Sequence, residues 1–199
     1  MSCLPFSDSC ERNKGPILEV LKQVFPERGR VLEIGSCSGQ HVVFFAPEFP
    51  GLSWQPSDCA EYLPGLEARI GQQGSVNVLE PLCLDVRTAW PAGAYDAAFS
   101  SNTAHIMSWE AVCAMFAGVG KALAPGGVFC LYGPFNEEGE FTSDSNREFD
   151  HGLRARDPSM GIRDREALDS LARGHQMELR QQFRLPANNC VLVFQKIEG

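Results

Sequence analysis

The stretch VLEIGSCSGQH at residues 31–41 constrains this chain more than any other. An apolar run, Val31 to Ile34, carries one acidic residue, Glu33, and leads into two glycines, Gly35 and Gly39. Glycine there lets the backbone turn sharply and removes the side chain that would block a ligand. Residues 40–46 then read as a helix that Pro47 stops. The unpaired N–H groups of its first turn would face whatever lies in the turn. Strand, glycine turn and helix in this order make a ligand-binding crevice.

The rest of the chain supplies the sheet that such a unit needs. Ile17, Leu18, Leu21, Val24 and Phe25 recur at one-face helical spacing, so residues 13–25 are expected as a helix with Asn13 as its cap. Strands are expected at 30–34, at 52–55 reaching Asp58, at 76–86, at 95–100 and at 128–132. Helices are expected at 62–72 and 109–123, the second with Val112, Met115, Phe116 and Val119 on one side. Such alternation predicts a mostly parallel sheet. Residues 133–145 are polar and lack periodicity, which marks a lid or substrate loop. A helix at 163–172 follows, then strands at 178–184 and 190–196 joined by Leu-Pro-Ala-Asn-Asn, a terminal antiparallel hairpin. The 199 residues contain no repeat and suit one domain, 1–199.

Composition narrows the partners. A formal charge of −8 argues against a surface that tracks nucleic-acid phosphates. Arg147, Arg154, Arg156, Arg163 and Arg165 gather in one stretch, but interleaved acids make it a solvated helical face. The cysteines form no Cys-x-x-Cys pair, and Cys83, Cys130 and Cys190 lie in apolar runs, so neither a metal nor a disulfide framework is expected. The start of the chain lacks a basic segment followed by an apolar core, and no run of ~18 apolar residues could span a bilayer. A cytoplasmic protein acting on a small molecule is the expectation.

Glycine spacing separates two ligand classes. A dinucleotide fingerprint, Gly-x-Gly-x-x-Gly from Gly35, would need glycine where Cys37 and Gln40 stand. The pattern acidic-x-Gly-x-Gly-x-Gly, that of class I methyltransferases, matches Glu33, Gly35 and Gly39 and fails only at Cys37. Methyl transfer is therefore preferred to hydride transfer. Asp58, at the end of the second strand and 23 residues after Gly35, is placed to accept hydrogen bonds from ribose hydroxyls or to cap a helix. Asp85 closes the third strand, where a carboxylate meets the adenine edge or serves a turn. Ser100 to His105 follow the fourth strand at the point where strand order should reverse, and His105 is a candidate general base as well as a candidate structural histidine. His41 reads as structural.

In order, ERNKGPILEVL, VLEIGSCSGQH, WQPSD, LCLDV, LYGPF, TSDSN, FDHGLRARDP, GIRD and LPANN resemble the domain of unknown function 938 family, which includes methyltransferase-like protein twenty-six. The resemblance runs from about Glu11 to Lys196. It implies an α/β, Rossmann-like class I methyltransferase sandwich with a seven-stranded sheet of order 3-2-1-4-5-7-6 and helices on both faces. It implies S-adenosylmethionine, with S-adenosylhomocysteine as product, bound through Glu33, Gly35, Ser36, Cys37, Gly39, Asp58, Asp85, Val86 and Asn102. Asn13, Pro16, Tyr132, Gly133, Pro134, Ser143, Ser145 and Asn146 fall on the substrate side and suggest a small polar acceptor; Ser and Asn equally suit caps. Cys37 departs from the family pattern and is expected to be tolerated if its φ is negative and its side chain points away. Two functions follow: a methyltransferase, or a binding module that keeps the fold without the catalysis.

Overall fold

The structure is a computed structural model that describes residues 4–197. Helix α1, Asp8–Val24, starts earlier than expected. The Ser7 hydroxyl caps it by accepting from Cys10 N–H, and Asp8 and Glu11 complement the positive end of the helix dipole. Asn13 is thus an interior, buried helix residue and not a cap. Pro16 also lies inside this helix.

Strand β1, Gly29–Ile34, turns into α2, Gln40–Phe45, which ends in a short 3₁₀ turn, Ala46–Glu48, containing Pro47. Next come β2, Leu52–Asp58; α3, Leu63–Gln73; β3, Leu82–Cys83; β4, Tyr95–Ser101; and α4, Trp109–Ala122. The second half contains β5, Leu123–Gly133; β6, Phe135–Asn136; α5, Asp144–Arg156; β7, Arg163–Asp164; α6, Arg165–Gly174; β8, Met177–Leu185; and β9, Asn189–Lys196.

Seven strands form one sheet in the order β3-β2-β1-β4-β5-β9-β8, which is 3-2-1-4-5-7-6 when the main-sheet strands alone are numbered. All neighbours run parallel except β9, which is antiparallel to both β5 and β8. Alternation along the strands divides the core between the two faces. On one side Phe99, Trp54 and Cys130 pack with Ile17 and Leu21 of α1 and Phe45 of α2. On the other, Phe129, Leu131 and Phe194 pack with Val112, Met115 and Phe116 of α4 and Leu168 of α6.

The expected long third strand is reduced to two residues. Val76 is fully exposed, and Val78 makes only an isolated bridge to Trp54. Two backbone bonds, Trp54 N–H to Asn77 O and Leu79 N–H to Trp54 O, remain, and side chains add to them: the Asn77 amide donates to the carbonyls of Ala46, Phe49 and Leu52, and the Gln55 amide donates to Glu80 O. Pro81 has no N–H to offer a neighbouring strand. Cys83, expected in the apolar interior, is exposed, whereas Cys130 and Cys190 are buried.

The expected lid, 133–145, is tethered. Its β6 pairs in parallel with β7, Glu137 and Glu140 close a turn, and Ser143 caps α5 by accepting from Asn146 N–H. Nor is the arginine stretch one solvated face. Arg163 donates to the carbonyls of Ala104, Met107 and Ser159, fastening the loop after β4.

Candidate functional site

The carboxyl ends of β1, β2 and β4 converge on the glycine turn. Gly35 and Ser36 N–H both donate to Ser57 O at 3.0 Å, locking the turn to β2. Gly35 has φ +76°, and a Cβ there would meet Thr103 Cγ2 at 2.6 Å. At Gly39, φ is +72° and a Cβ would meet Leu66 Cδ1 at 2.9 Å, so packing of the turn against α3 also demands glycine. Ser36 is buried and its hydroxyl accepts from Ser57 N–H at 3.2 Å. Cys37 fails one condition set for its tolerance: its φ is +45°, with the side chain exposed. This left-handed conformation favours glycine.

Two carboxylates in this region behave differently. Trp54 Nε1 donates to Glu33 Oε2 at 2.7 Å, and burial pushes the Glu33 pKa up to about 8. Glu33 therefore turns toward the core beside β2. Asp58 accepts Cys37 N–H at 2.6 Å on one oxygen and Cys59 N–H at 2.7 Å on the other. Burial raises its pKa, and those two backbone donors oppose the rise.

Beyond Asp58 opens a cavity of about 350 Å³. Gly35, Asp58, Asp85 and Arg87 edge it, and Ile34, Leu84, Val86, Met107 and Ala111 give it an apolar lining. Asp85 accepts from both Arg87 N–H and its guanidinium, which hold the carboxyl down to about 2. The turn use and the pocket-edge position of Asp85 thus coexist.

A second cavity, of about 210 Å³, lies between α1, the end of β5 and the β8–β9 turn. Asn13, Pro16, Tyr132 and Asn102 line it. A third, of about 310 Å³, shares Asn102, Ala187 and Asn189 with it and adds Pro134, Ser145, Asn146 and Phe149. Asn102, at φ +58°, is pinned by its N–H to Tyr132 O at 2.9 Å. The Asn146 amide donates to Thr142 Oγ1 and Asn188 O, and Ser143 acts as a helix cap. Here the capping expectation applies to Ser143, and Asn146 fastens the hairpin turn.

His41 Nε2 contacts Asn13 Oδ1 at 2.8 Å and its ring stacks on Phe45, so it is structural as expected. His105 is 5% exposed, packs edge-on against Phe149 and lines none of these cavities. Burial, then the cations of Arg163 and Arg156, lower its pKa to about 4. Arg12, Ser9 and the hairpin turn were not anticipated as cavity walls. The signal was available in the sequence, since Arg12, Asn13 and Pro16 fall within one helical turn. Among the described residues no group of three or more His, Cys, Asp or Glu is placed to hold a metal, and no helix is long and apolar enough to cross a membrane.

Residues 4–196 match the family model described as protein of unknown function (DUF938). The chain belongs to this family. Solved structures share its fold at low identity. An O-methyltransferase family protein from Burkholderia thailandensis matches with TM-score 0.82 at 15% identity, over 96% of this chain and 58% of that one. The O-methyltransferase family 2 protein from Planctomyces limnophilus, in complex with apigenin, matches with TM-score 0.78 at 15% identity over 95% and 60%. CalO1, a methyltransferase in calicheamicin biosynthesis in its SAH-bound form, matches with TM-score 0.74 at 17% identity over 94% and 54%. The DUF938 chain spans a little over half the length of these structures. What they share with it is the methyltransferase fold.

Proposed function

We propose that this DUF938 protein is an S-adenosylmethionine-dependent methyltransferase acting on a small polar molecule. One observation carries the reading: a glycine turn pinned to β2 stands beside Asp58, whose two oxygens each already accept one backbone N–H, at the edge of an apolar cavity. Each carboxylate oxygen keeps capacity for a further donor, which suits the two hydroxyls of a ribose. Ile34, Leu84, Val86 and Met107 suit the faces of an adenine, and about 350 Å³ falls in the range of small-molecule sites, roughly 300–1,000 Å³. The residues present therefore fit an adenosine-bearing donor. Gly35, Asp58, Asp85, Val86 and Asn102 would hold it, with Cys37, Ser36 and Gly39 shaping the turn and Glu33 acting from behind.

When bound, S-adenosylmethionine supplies an electrophilic methyl group. The chain's own contribution is orientation: the turn and Asp58 fix one side of the crevice, Asn102 and Tyr132 the other. His105 is the candidate for removing the acceptor's proton; burial keeps its ring neutral, and Phe149 of the third cavity's wall packs edge-on against it. If it takes the proton, His105→Ala lowers turnover by ~10²-fold or more. Unchanged turnover would leave orientation alone as the source of rate. The seven free cysteines among the described residues support a reducing, cytoplasmic setting.

Cys37 at φ +45° favours a second reading, a module that binds the cofactor or a partner without catalysis. Isothermal titration with S-adenosylmethionine and S-adenosylhomocysteine tests both. Micromolar binding supports the donor site. Absence of binding at millimolar ligand, restored by Cys37→Gly, would assign the fold to something other than methyl transfer.

A further inference from the structure

The cavity between α1 and the β8–β9 turn has an uneven chemistry. Pro16, Leu185, Pro186 and Ala187 make one part of its wall apolar. Its polar groups come from Ser9, Arg12 and Asn13 of α1 and from Asn102, Tyr132 and Asn189. Arg12 is the one charged residue of that wall, and the adjoining cavity that shares Asn102 has none. In a chain of net charge −8, Arg12 makes no ion pair or side-chain hydrogen bond among the described residues. Glu11, next to it, is engaged instead by Lys14 and Gln40.

Asn13 adds directionality. It is 8% exposed, and its Oδ1 is held at 2.8 Å by His41 Nε2. An amide oxygen only accepts, so His41 Nε2 donates and the Asn13 amide oxygen is occupied. Of the two N–H donors of its NH₂ group one goes to the Tyr132 hydroxyl, leaving the other, and both residues line the cavity. A cation, an amide N–H donor and a hydroxyl in the wall of a cavity that is otherwise part apolar recognise a carboxylate attached to an apolar body.

We propose that this second cavity is the acceptor subsite and that it takes a small organic acid of aromatic size, its carboxylate on Arg12 and Asn13 and its apolar body against Pro16 and the hairpin turn. Asn102 lines both this cavity and the adjoining one. The word acceptor rests on the methyltransferase reading; the charge selectivity of the cavity does not. A carboxylate also forms part of the cofactor itself, and the experiment separates the two sources.

Isothermal titration with benzoate and benzamide, matched in shape and different in charge, is run on the wild type, Arg12→Gln and Arg12→Lys. Each protein is also titrated with S-adenosylhomocysteine and with methylthioadenosine, which lacks the amino-acid carboxylate. Benzoate binds the wild type at least ~10-fold more tightly than benzamide. Arg12→Gln abolishes that preference, Arg12→Lys keeps part of it, and S-adenosylhomocysteine binds all three alike. Equal binding of the two probes, no binding of benzoate at millimolar concentration, or benzoate binding that ignores Arg12→Gln would overturn the proposal. So would an Arg12→Gln defect toward S-adenosylhomocysteine that spares methylthioadenosine, because Arg12 would then hold the cofactor's own carboxylate. Failure of every protein to bind S-adenosylhomocysteine, with benzoate selectivity intact, would instead count against the methyltransferase reading alone.

Discussion

Two residues of the glycine turn region carry costs that can be measured. Cys37 occupies a left-handed conformation that an L side chain enters at about 1–2 kcal/mol, partly offset because glycine loses more backbone freedom on folding. Cys37→Gly should therefore stabilise the protein by about 0.5–1 kcal/mol, a rise in Tm of about 1–4 °C by differential scanning calorimetry. A fall in Tm would mean that the side chain makes compensating contacts. Glu33 behaves in the opposite sense to an ordinary carboxylate. Its pKa is about 8 in the fold against 4.5 for the free group, so the folded state holds a proton that the unfolded chain releases. The resulting stability is complete below pH 4.5 and disappears as pH rises through about 8. Glu33→Gln keeps an acceptor for Trp54 Nε1 and removes the titration. Urea unfolding at pH 5 and pH 8 should show the wild type losing stability relative to Glu33→Gln, by a few kcal/mol; parallel curves would place the ionised carboxylate in the fold.

At the scale of elements, alternation of apolar runs and turn signals made the seven-stranded sheet and its terminal hairpin legible, because each buried strand and amphipathic helix carries its own period. The start of α1, the extent of β3 and the whole of α5 were not. Helix α1 reaches back to Asp8 because a serine cap and two acids extend it past its apolar face. Strand β3 is short because the Gln55 amide takes Glu80 O in place of a backbone N–H and Pro81 has no N–H to donate. Helix α5 has only Asn146, Asp150 and Leu153 buried, so its polar sequence shows no apolar stripe. In the candidate site, Asp58 and the glycine turn were readable from spacing, whereas Arg12 and the hairpin turn meet only through the fold. Asp150 shows what α5 contributes: it accepts Ile162 N–H at 2.7 Å and Arg154 Nε at 2.7 Å from a buried position. These bonds hold the turn that carries Asp157 and Ser159, two walls of the Asp58 cavity. Asp150→Ala should cost about 1–3 kcal/mol by leaving the buried Ile162 N–H unpaired. It should also weaken S-adenosylhomocysteine binding without touching the ligand, whereas Asp150→Asn, which keeps the acceptor, should retain most of both. Equal losses for the two variants would assign the effect to the ion pair with Arg154.

For the whole molecule, the Asp58 cavity draws its walls from β1, β2, the segment after β3, the loop after β4, α4 and the turn after α5. A ligand that spans these elements binds the folded state and not the unfolded chain, so its binding free energy adds to global stability. At 100 times its Kd, S-adenosylhomocysteine should contribute about 2.7 kcal/mol, which for a chain of this length raises Tm by about 5–10 °C. Adenosine alone should raise it less at equal concentration, because it lacks the homocysteine arm that would reach beyond this cavity. NADH should leave Tm unchanged, since Cys37 and Gln40 stand where a dinucleotide turn needs glycine for close approach of the pyrophosphate. A shift with NADH and none with S-adenosylhomocysteine would reverse the assignment of the crevice and, with it, the chemistry proposed for the molecule. Equal shifts with adenosine and S-adenosylhomocysteine would confine recognition to the Asp58 cavity and leave the α1 side of the crevice free for the acceptor alone.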